Sequence, residues 1–333
     1  MRNNVKELSG LAFLGYPEKT TYLLEEVALR FPAFGKPVLY GDIAYYPDAD
    51  IPAFESEGAL LPSGSVLPLW ARAVFLKPLS ITFDSIGEAA TTLRDIQRNW
   101  APYQFTQFRR AALIQEKLPY INLKTRTFPY KVPVSPMGIY TLLDANTMLA
   151  SAFTQSHFPA GTVLLQEDHE NPPSRAYLKI EEALVRFCDA FAAEMPAEGA
   201  RCLDAGACPG GWTWVLRQLG CDVTAIDRAP LVPSLMEDPA VHFMTHDAFT
   251  LKPAELGRFD WIFSEVICYP ERLFGWVNDW LESGLCSNFI CTIKLQGGTD
   301  WDLISKFASI PDSRVVHLCY NKHEFTWMHC GKR

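Results

Sequence analysis

The feature that most constrains the fold is an alternation of short apolar segments with longer helical ones, beginning near residue 200. The segments with strand character are 201–205, 222–226, 241–245, 259–263, 289–294, 314–320 and 325–330. Helical periodicity marks residues 211–219, 271–281 and 301–308. Such alternation predicts an α/β domain with a mainly parallel sheet of seven strands covered on both faces. Only a short link precedes the last strand, which is therefore expected to run antiparallel.

A polar, proline-containing segment at residues 166–175 precedes this pattern and predicts a domain boundary. We therefore expect two domains, 1–165 and 166–333. All nine cysteines lie between Cys188 and Cys330, in agreement with two domains of different character. The first domain has apolar segments interrupted by prolines, which predicts a mixed α+β region that could itself consist of two small units.

Ser174 stands before a segment in which apolar residues recur at helical spacing up to Pro196. A serine at this position predicts a helix N-cap. We therefore expect a further helix at the start of the second domain, just before its first strand.

Composition excludes several classes of protein. Hydrophobic residues make up 48% of the chain and charged residues 20%, as in globular proteins with real cores. No apolar run approaches the roughly 18 residues of a membrane helix. The first residues also lack the apolar core of a signal peptide. We therefore expect a cytoplasmic protein without a membrane partner. The cysteine count is odd and no CxxC occurs, which favours reduced thiols and no metal site.

A glycine-rich loop stands between the first predicted strand of the second domain and the helix that follows. Ligands of open α/β sheets bind at this kind of turn, where glycines let the backbone approach a nucleoside closely. The candidate cosubstrate-binding residues in and before this loop are Asp204, Gly206, Cys208, Pro209, Gly210, Gly211 and Trp212.

Two acids follow at positions suited to a nucleoside. Asp227 ends the second strand, where a carboxylate can accept hydrogen bonds from both ribose hydroxyls, and Asp247 after the third strand could accept an adenine amino proton. A dinucleotide site is the alternative. However, Pro209 removes a backbone N–H that a pyrophosphate would use. S-adenosylmethionine (SAM) has no phosphate, so the loop favours SAM.

Four charged residues are predicted at one rim of the sheet. Lys179 lies on the helix that precedes the first strand. Glu265 and Lys294 are placed after the fourth and fifth strands, and Glu324 at the final hairpin. Two amines and two carboxylates that converge in this way would form a site for proton transfer. Taken singly, a Lys or Glu at a strand end is more often an exposed rim residue than a functional one.

Three segments carry a resemblance to a known family: PSRAYLKIEEA from Pro173, the loop from Asp204 to Trp212, and Ile293–Leu295. Together they resemble FtsJ-like RNA ribose 2′-O-methyltransferases, most closely the bacterial 23S rRNA cytidine-2′-O-methyltransferases. The resemblance implies a Rossmann-like SAM-dependent methyltransferase fold for the second domain. For the first domain it implies only a similar domain order, in which an RNA-binding THUMP region comes first.

The resemblance also implies roles for individual residues. The family has a Lys-Asp-Lys-Glu tetrad, which falls on Lys179, Glu265, Lys294 and Glu324, with Lys294 as proton acceptor. This chain departs at Glu265, where the family has Asp, and the extra methylene could disturb a site that needs sub-ångström placement. The SAM contacts implied by the family fall on Ser174, Cys208, Pro209, Gly210, Gly211, Asp227, Asp247 and Glu265.

An RNA partner is indicated by residues 94–131, where the net charge is +6 although the whole chain carries −8. Aromatic residues are interspersed with the cations. Cations bind phosphates and aromatic rings stack on unpaired bases, as in proteins that bind single-stranded RNA, although about half of these aromatic residues could belong to a core. We expect RNA and no DNA as partner. The candidate RNA-binding residues are Arg94, Arg98, Arg109, Arg110, Lys117, Lys124, Arg126 and Lys131.

Three functions are compatible with these features. The leading one is a SAM-dependent RNA ribose 2′-O-methyltransferase acting on large-subunit rRNA. Because Glu265 replaces the family Asp, a non-catalytic RNA-binding protein with the same fold is an alternative. A nucleotide-dependent oxidoreductase is a third, which Pro209 and the two lysines disfavour.

Overall fold

The chain divides into two compact units. The computed structural model describes residues 4–49 and 68–331. The first unit comprises the described residues up to Thr125 together with Val132–Leu164, and the second comprises Arg126–Lys131 together with the described residues from Leu165 onward. The main division lies next to the boundary expected between residues 165 and 166, but residues 126–131 pack with the second unit.

The first unit is α+β and contains two sheets. Its strands are β1 (Val5–Glu7), β2 (Leu11–Gly15), β3 (Val38–Tyr40), β4 (Ile43–Tyr46), β5 (Ala71–Phe75), β6 (Leu79–Thr82), β7 (Trp100–Pro102), β8 (Gly138–Leu142) and β9 (Thr147–Ser151). Its helices are α1 (Thr20–Arg30), α2 (Ile86–Ile96) and α3 (Phe108–Gln115). The strand orders are β3-β4-β2-β5 and β1-β6-β9-β8-β7.

Alternation along β8 explains how the two sheets and the helices pack. Tyr140 and Leu142 point to the face covered by α2 and α3, where they meet Leu93 and Ile114. Ile139 points to the opposite face and packs against residues of the four-stranded sheet. Since successive side chains of a strand point to opposite faces, a single apolar strand serves both cores.

The second unit contains one sheet of seven strands with helices. Its strands are β10 (Arg201–Ala205), β11 (Asp222–Asp227), β12 (Val241–Thr245), β13 (Trp261–Ser264), β14 (Asn288–Lys294), β15 (Ser313–Val316) and β16 (Glu324–Cys330). Its helices are α4 (Tyr177–Phe191), α5 (Gly211–Gln218), α6 (Pro233–Met236), α7 (Pro253–Leu256), α8 (Pro270–Ser283) and α9 (Trp301–Ser309).

The strand order of this sheet is β12-β11-β10-β13-β14-β16-β15. β10 to β14 pair in parallel, and β16 lies antiparallel between β14 and β15. This is the arrangement expected of a Rossmann-like methyltransferase, so the predicted fold class is confirmed. The carboxyl ends of β10, β11, β13 and β14 meet at one edge, where the glycine loop begins.

Two local expectations were wrong. Helix α4 begins at Tyr177 with Ala176 as N-cap, and the Ser174 hydroxyl accepts no capping hydrogen bond. The strand expected over 314–320 ends at Val316. Residues 317–323 form a link in which Glu182 of α4 accepts the Tyr320 N–H and the Asn321 side chain donates to the Glu324 backbone oxygen. In the second case a contact distant in sequence, from Glu182 to Tyr320, overrides the local pattern.

The described residues contain no helix that is long and apolar enough to cross a membrane. No group of three or more His, Cys, Asp or Glu side chains in that part of the chain could hold a metal ion. All nine cysteines are free thiols, and five of them are buried.

Candidate active site

The glycine loop between β10 and α5 is shaped by close contacts with two neighbouring segments. Gly206 has φ +81°, and a Cβ there would lie 2.8 Å from Val266 Cγ2. A Cβ on Gly211 would lie 2.5 Å from Ser174 Oγ. Glycine is needed at position 206, because its backbone is left-handed and a side chain would meet the Val266 backbone. At position 211 a side chain would displace the Ser174 hydroxyl.

Asp204 is fully buried at the end of β10, beneath this loop. Its Oδ2 accepts a hydrogen bond of 2.6 Å from Thr213 Oγ1 on α5. Burial raises the pKa of Asp204 to about 7, although the bond from Thr213 acts in the opposite direction. Asp204 Oδ1 and Ser174 Oγ are both buried without a hydrogen-bond partner among the described residues. Two unsatisfied buried oxygens beside a glycine loop fit a ligand that brings hydrogen-bond donors.

Asp227 lies at the end of β11 and contacts the same loop. Its Oδ2 accepts the Cys208 N–H at 3.0 Å, and its Oδ1 accepts the Ala229 N–H at 3.1 Å. Each oxygen keeps a further lone pair for another donor. The expected role of Asp227 toward ribose hydroxyls is compatible with this position and stays a prediction.

Asp247 is engaged by two arginines that the sequence did not indicate. Its Oδ2 lies 2.6 Å from Arg228 Nη2 and 3.0 Å from Arg272 Nη2, while its Oδ1 accepts the Phe249 N–H. Burial alone would raise the pKa of Asp247, but the two guanidinium groups hold it below its usual value. Contact with an adenine amino group stays a prediction, and the carboxylate would have to share its oxygens with both arginines.

The four charged residues predicted at the rim form one cluster, which we call the tetrad: Lys179, Glu265, Lys294 and Glu324. Lys179 Nζ lies 2.5 Å from Glu265 Oε1 and 2.5 Å from Glu324 Oε1. Lys294 Nζ lies 2.6 Å from Glu324 Oε2 and 3.5 Å from Glu265 Oε1. Each lysine therefore contacts both carboxylates, and Glu265 reaches both amines despite its extra methylene.

The two lysines differ in how tightly they are held. Burial disfavours the charged amine of Lys179, but the adjacent carboxylates outweigh burial and raise its pKa above the usual value. Burial likewise opposes the charged form of Glu324, yet the two lysines hold its pKa below normal. Lys179 has two short contacts, whereas Lys294 has one short and one long contact. Of the two amines, Lys294 is therefore the less tightly held by the carboxylates.

A supporting network behind Glu324 was not foreseen from the sequence. Glu182, one turn after Lys179 on α4, is fully buried; it pairs with Arg186 at 2.7 Å and accepts the Tyr320 N–H at 3.1 Å. Asn321 Nδ2 donates to the backbone oxygen of Glu324 at 3.2 Å. The same helix thus carries a tetrad lysine and the side chain that anchors the link before Glu324. In the sequence, the only sign of this network is Glu182, the second glutamate of the segment IEEA. Its backbone partner, Tyr320, lies 138 residues further along the chain.

The cationic residues expected to bind RNA are distributed over both units. Arg94 and Lys117 meet in the first unit, where Arg94 Nη1 donates to the Lys117 backbone oxygen at 3.0 Å. Arg110 is partly buried, with its guanidinium over the Phe83 ring. The exposed members of the first unit are Arg94, Arg98, Arg109, Lys117 and Lys124.

The remaining two cations belong to the second unit. Arg126 stacks over the Tyr130 ring at 4.3 Å, and Lys131 lies 3.7 Å from Glu194. Among the interspersed aromatics, Trp100 is buried, whereas Phe108 and Tyr120 are exposed. The segment 94–131 therefore does not form a single exposed basic stretch, and most of its exposed cations lie on or shortly after α2 and α3.

Comparison with known proteins agrees with this geometry. Residues 172–283 match the model of the FtsJ-like methyltransferase family. That range includes Lys179, the glycine loop and Glu265, and it ends before Lys294 and Glu324.

Curated relatives carry the name "Ribosomal RNA large subunit methyltransferase M". The one from Alkalilimnicola ehrlichii is 40% identical over 164 residues, which is 46% of this chain and 44% of the relative. The relative from Halorhodospira halophila is 37% identical, over 46% of this chain and 43% of its own length. The relative from Edwardsiella ictaluri is 33% identical, over 58% of this chain and 50% of its own length. The chain spans half or less of the length of these relatives. The resemblance to FtsJ-like methyltransferases is confirmed for residues 172–283.

Proposed function

We propose that this chain is a SAM-dependent RNA ribose 2′-O-methyltransferase that acts on large-subunit (23S) rRNA. The observation that carries the proposal is the tetrad, in which two lysines and two glutamates make reciprocal contacts at the sheet edge beside the glycine loop. The name of the curated relatives supports rRNA as the substrate class. Such a reaction would take place in the cytoplasm, where rRNA is processed in bacteria.

The residues around the loop suit SAM as the methyl donor. When bound, SAM supplies an electrophilic methyl group on a sulfonium. Asp204 Oδ1 and Ser174 Oγ would accept hydrogen bonds from its polar end, because both are buried and unsatisfied. Asp227 would hold the ribose hydroxyls, and the backbone of residues 206–211 would approach the nucleoside closely.

In this proposal Lys294 removes the proton from the attacking 2′-hydroxyl. Lys179 stays charged, since the two glutamates raise its pKa, and it places a fixed positive charge near Lys294. Glu265 and Glu324 orient both amines. General-base assistance of this kind contributes roughly 10²- to 10⁴-fold, and positioning of the reactants contributes more.

The alternatives are less well supported. The replacement of the family Asp by Glu265 motivated a non-catalytic RNA-binding protein, yet Glu265 reaches both lysines. An oxidoreductase with a dinucleotide is disfavoured by Pro209 and by the antiparallel β16 in the sheet, since dinucleotide-binding sheets have a sixth parallel strand in the classic order.

The test is methyl transfer to RNA with identification of the product. An unmodified 23S rRNA transcript is incubated with the protein and SAM, digested to nucleosides and analysed by mass spectrometry. The proposal predicts one ribose-methylated nucleoside, and calorimetry should show binding of SAM but not of NAD. RNA binding without any methylated product would favour the non-catalytic alternative.

A further inference from the structure

The loop between β13 and α8 exposes two apolar side chains next to the tetrad. Ile267 is 84% exposed and Tyr269 is 67% exposed, whereas Cys268 between them is buried. Single exposed apolar residues are common on protein surfaces. Here, however, two of them alternate with a buried residue on a segment that begins at a tetrad carboxylate.

Both ends of this loop are fixed by contacts with the site. At its start, the Glu265 N–H donates to the Ala205 backbone oxygen at 3.1 Å, and Val266 packs against Gly206. At its end, the Arg272 N–H donates to the Tyr269 backbone oxygen at 3.0 Å. The loop therefore runs from the tetrad to the first turn of α8, beside the edge of the sheet at which β14 ends with Lys294.

The charges beside this loop suit a polyanion. Arg272, in the first turn of α8, and Arg228, after β11, share the single carboxylate of Asp247. Their side chains are 45% and 77% exposed, so both can contact a further anion. The two guanidinium groups share one carboxylate, and Arg272 lies three residues after Tyr269 in a turn that also carries Glu271. Phosphates and unpaired bases are the groups that such a combination recognises.

We propose that Tyr269 and Ile267 form a platform on which an unpaired base of the substrate RNA stacks, while Arg272 and Arg228 contact the adjacent phosphates. This inference rests on the proposed function and identifies a base subsite for it. A nucleotide that is turned out of a stacked helix can bring its ribose hydroxyl to a partly buried amine such as that of Lys294. The exposed base then needs a surface, and aromatic and apolar side chains provide one.

The first test separates stacking from cosubstrate binding. In Tyr269→Ala, we expect the KM for an unmodified 23S rRNA transcript to rise about 5- to 100-fold, the range that stacking of one base contributes, with the Kd for SAM unchanged. Tyr269→Phe should retain the wild-type KM because the ring is kept. Leu29→Ala, which removes an equally exposed side chain on α1, is the matched control and should have no effect.

The second test does not depend on turnover. Tyr269→Trp places an indole on the platform, and RNA should quench its additional fluorescence relative to the wild type. An unchanged KM in Tyr269→Ala, an equal loss in Tyr269→Phe, or an absence of extra quenching would each overturn the base subsite. If the wild type transfers no methyl group but Tyr269→Trp is quenched, the proposed reaction fails and the base subsite stands.

Discussion

Asp204 and the tetrad show how single residues define the site. The sequence placed all four tetrad residues at one rim, because each lies on or next to an element end that the strand-helix alternation fixes. It could not show that Arg228 and Arg272 share Asp247 or that Ser174 does not cap α4. Those outcomes depend on side chains from separate elements, which local patterns do not relate to one another.

Asp204→Asn should stabilise the protein and weaken cosubstrate binding. The folded pKa of Asp204 is about 7 against a usual 3.8, so the folded chain keeps a proton that the unfolded chain releases between these values. Stability therefore falls as pH rises from about 4 to 7 and stays lower above pH 7. Asn cannot ionise, so the free energy of unfolding at pH 8 should increase by about 1–3 kcal/mol, with a much smaller gain near pH 4.

Urea unfolding at both pH values checks the stability effect, and calorimetry checks the loss of SAM affinity. Asp302→Asn, an exposed acid on α9, serves as the control. An equal change in stability at the two pH values would contradict the buried, protonated state of Asp204.

At the scale of elements, the link between β15 and β16 fixes the position of Glu324. Strand β15 ends earlier than its apolar pattern indicated, because Glu182 and Asn321 hold residues 317–323 as an ordered link. Periodicity predicted both strands of this antiparallel pair. It could not predict the link, since the buried carboxylate that holds it lies on a helix far away in sequence.

Glu182 should therefore act as a positioning residue. In Glu182→Ala the Tyr320 N–H loses its acceptor and Glu324 is less well placed, so kcat should fall about 10- to 100-fold while the Kd for SAM stays unchanged. Glu182→Gln keeps an oxygen that can accept the same N–H and should restore part of kcat. Equal losses of kcat and SAM affinity in both variants would indicate a general folding defect instead.

For the whole molecule, predictability differs between the two units. The second unit was predicted well, because strands in a parallel sheet are joined by helices and leave a regular alternation along the chain. The first unit has strands of three to five residues. Several of them pair across long stretches of sequence, as β1 does with β6 and β2 with β5, and local periodicity does not show such pairs. Nor does composition indicate that residues 126–131 pack with the second unit.

The exposed cations around α2 and α3 should bind RNA in a salt-dependent manner. Arg109→Glu combined with Lys117→Glu should weaken RNA binding and reduce the slope of log K against log salt by about 1 per lost phosphate contact. Arg110 is not a suitable target, because it is partly buried against Phe83. Filter binding at several salt concentrations is the measurement, with exposed Lys36→Glu as control. Binding that does not vary with salt would argue against this surface.

The most direct test of the account is the kinetics of Lys294→Ala. If Lys294 accepts the hydroxyl proton, methyl transfer to 23S rRNA should fall at least about 100-fold, the lower end of general-base assistance. The Kd for SAM should stay close to the wild-type value, and Lys306→Ala, which removes an exposed lysine of α9, should leave both unchanged. Turnover that survives in Lys294→Ala, or a loss explained by weaker SAM binding, would contradict the assignment of Lys294 as the base.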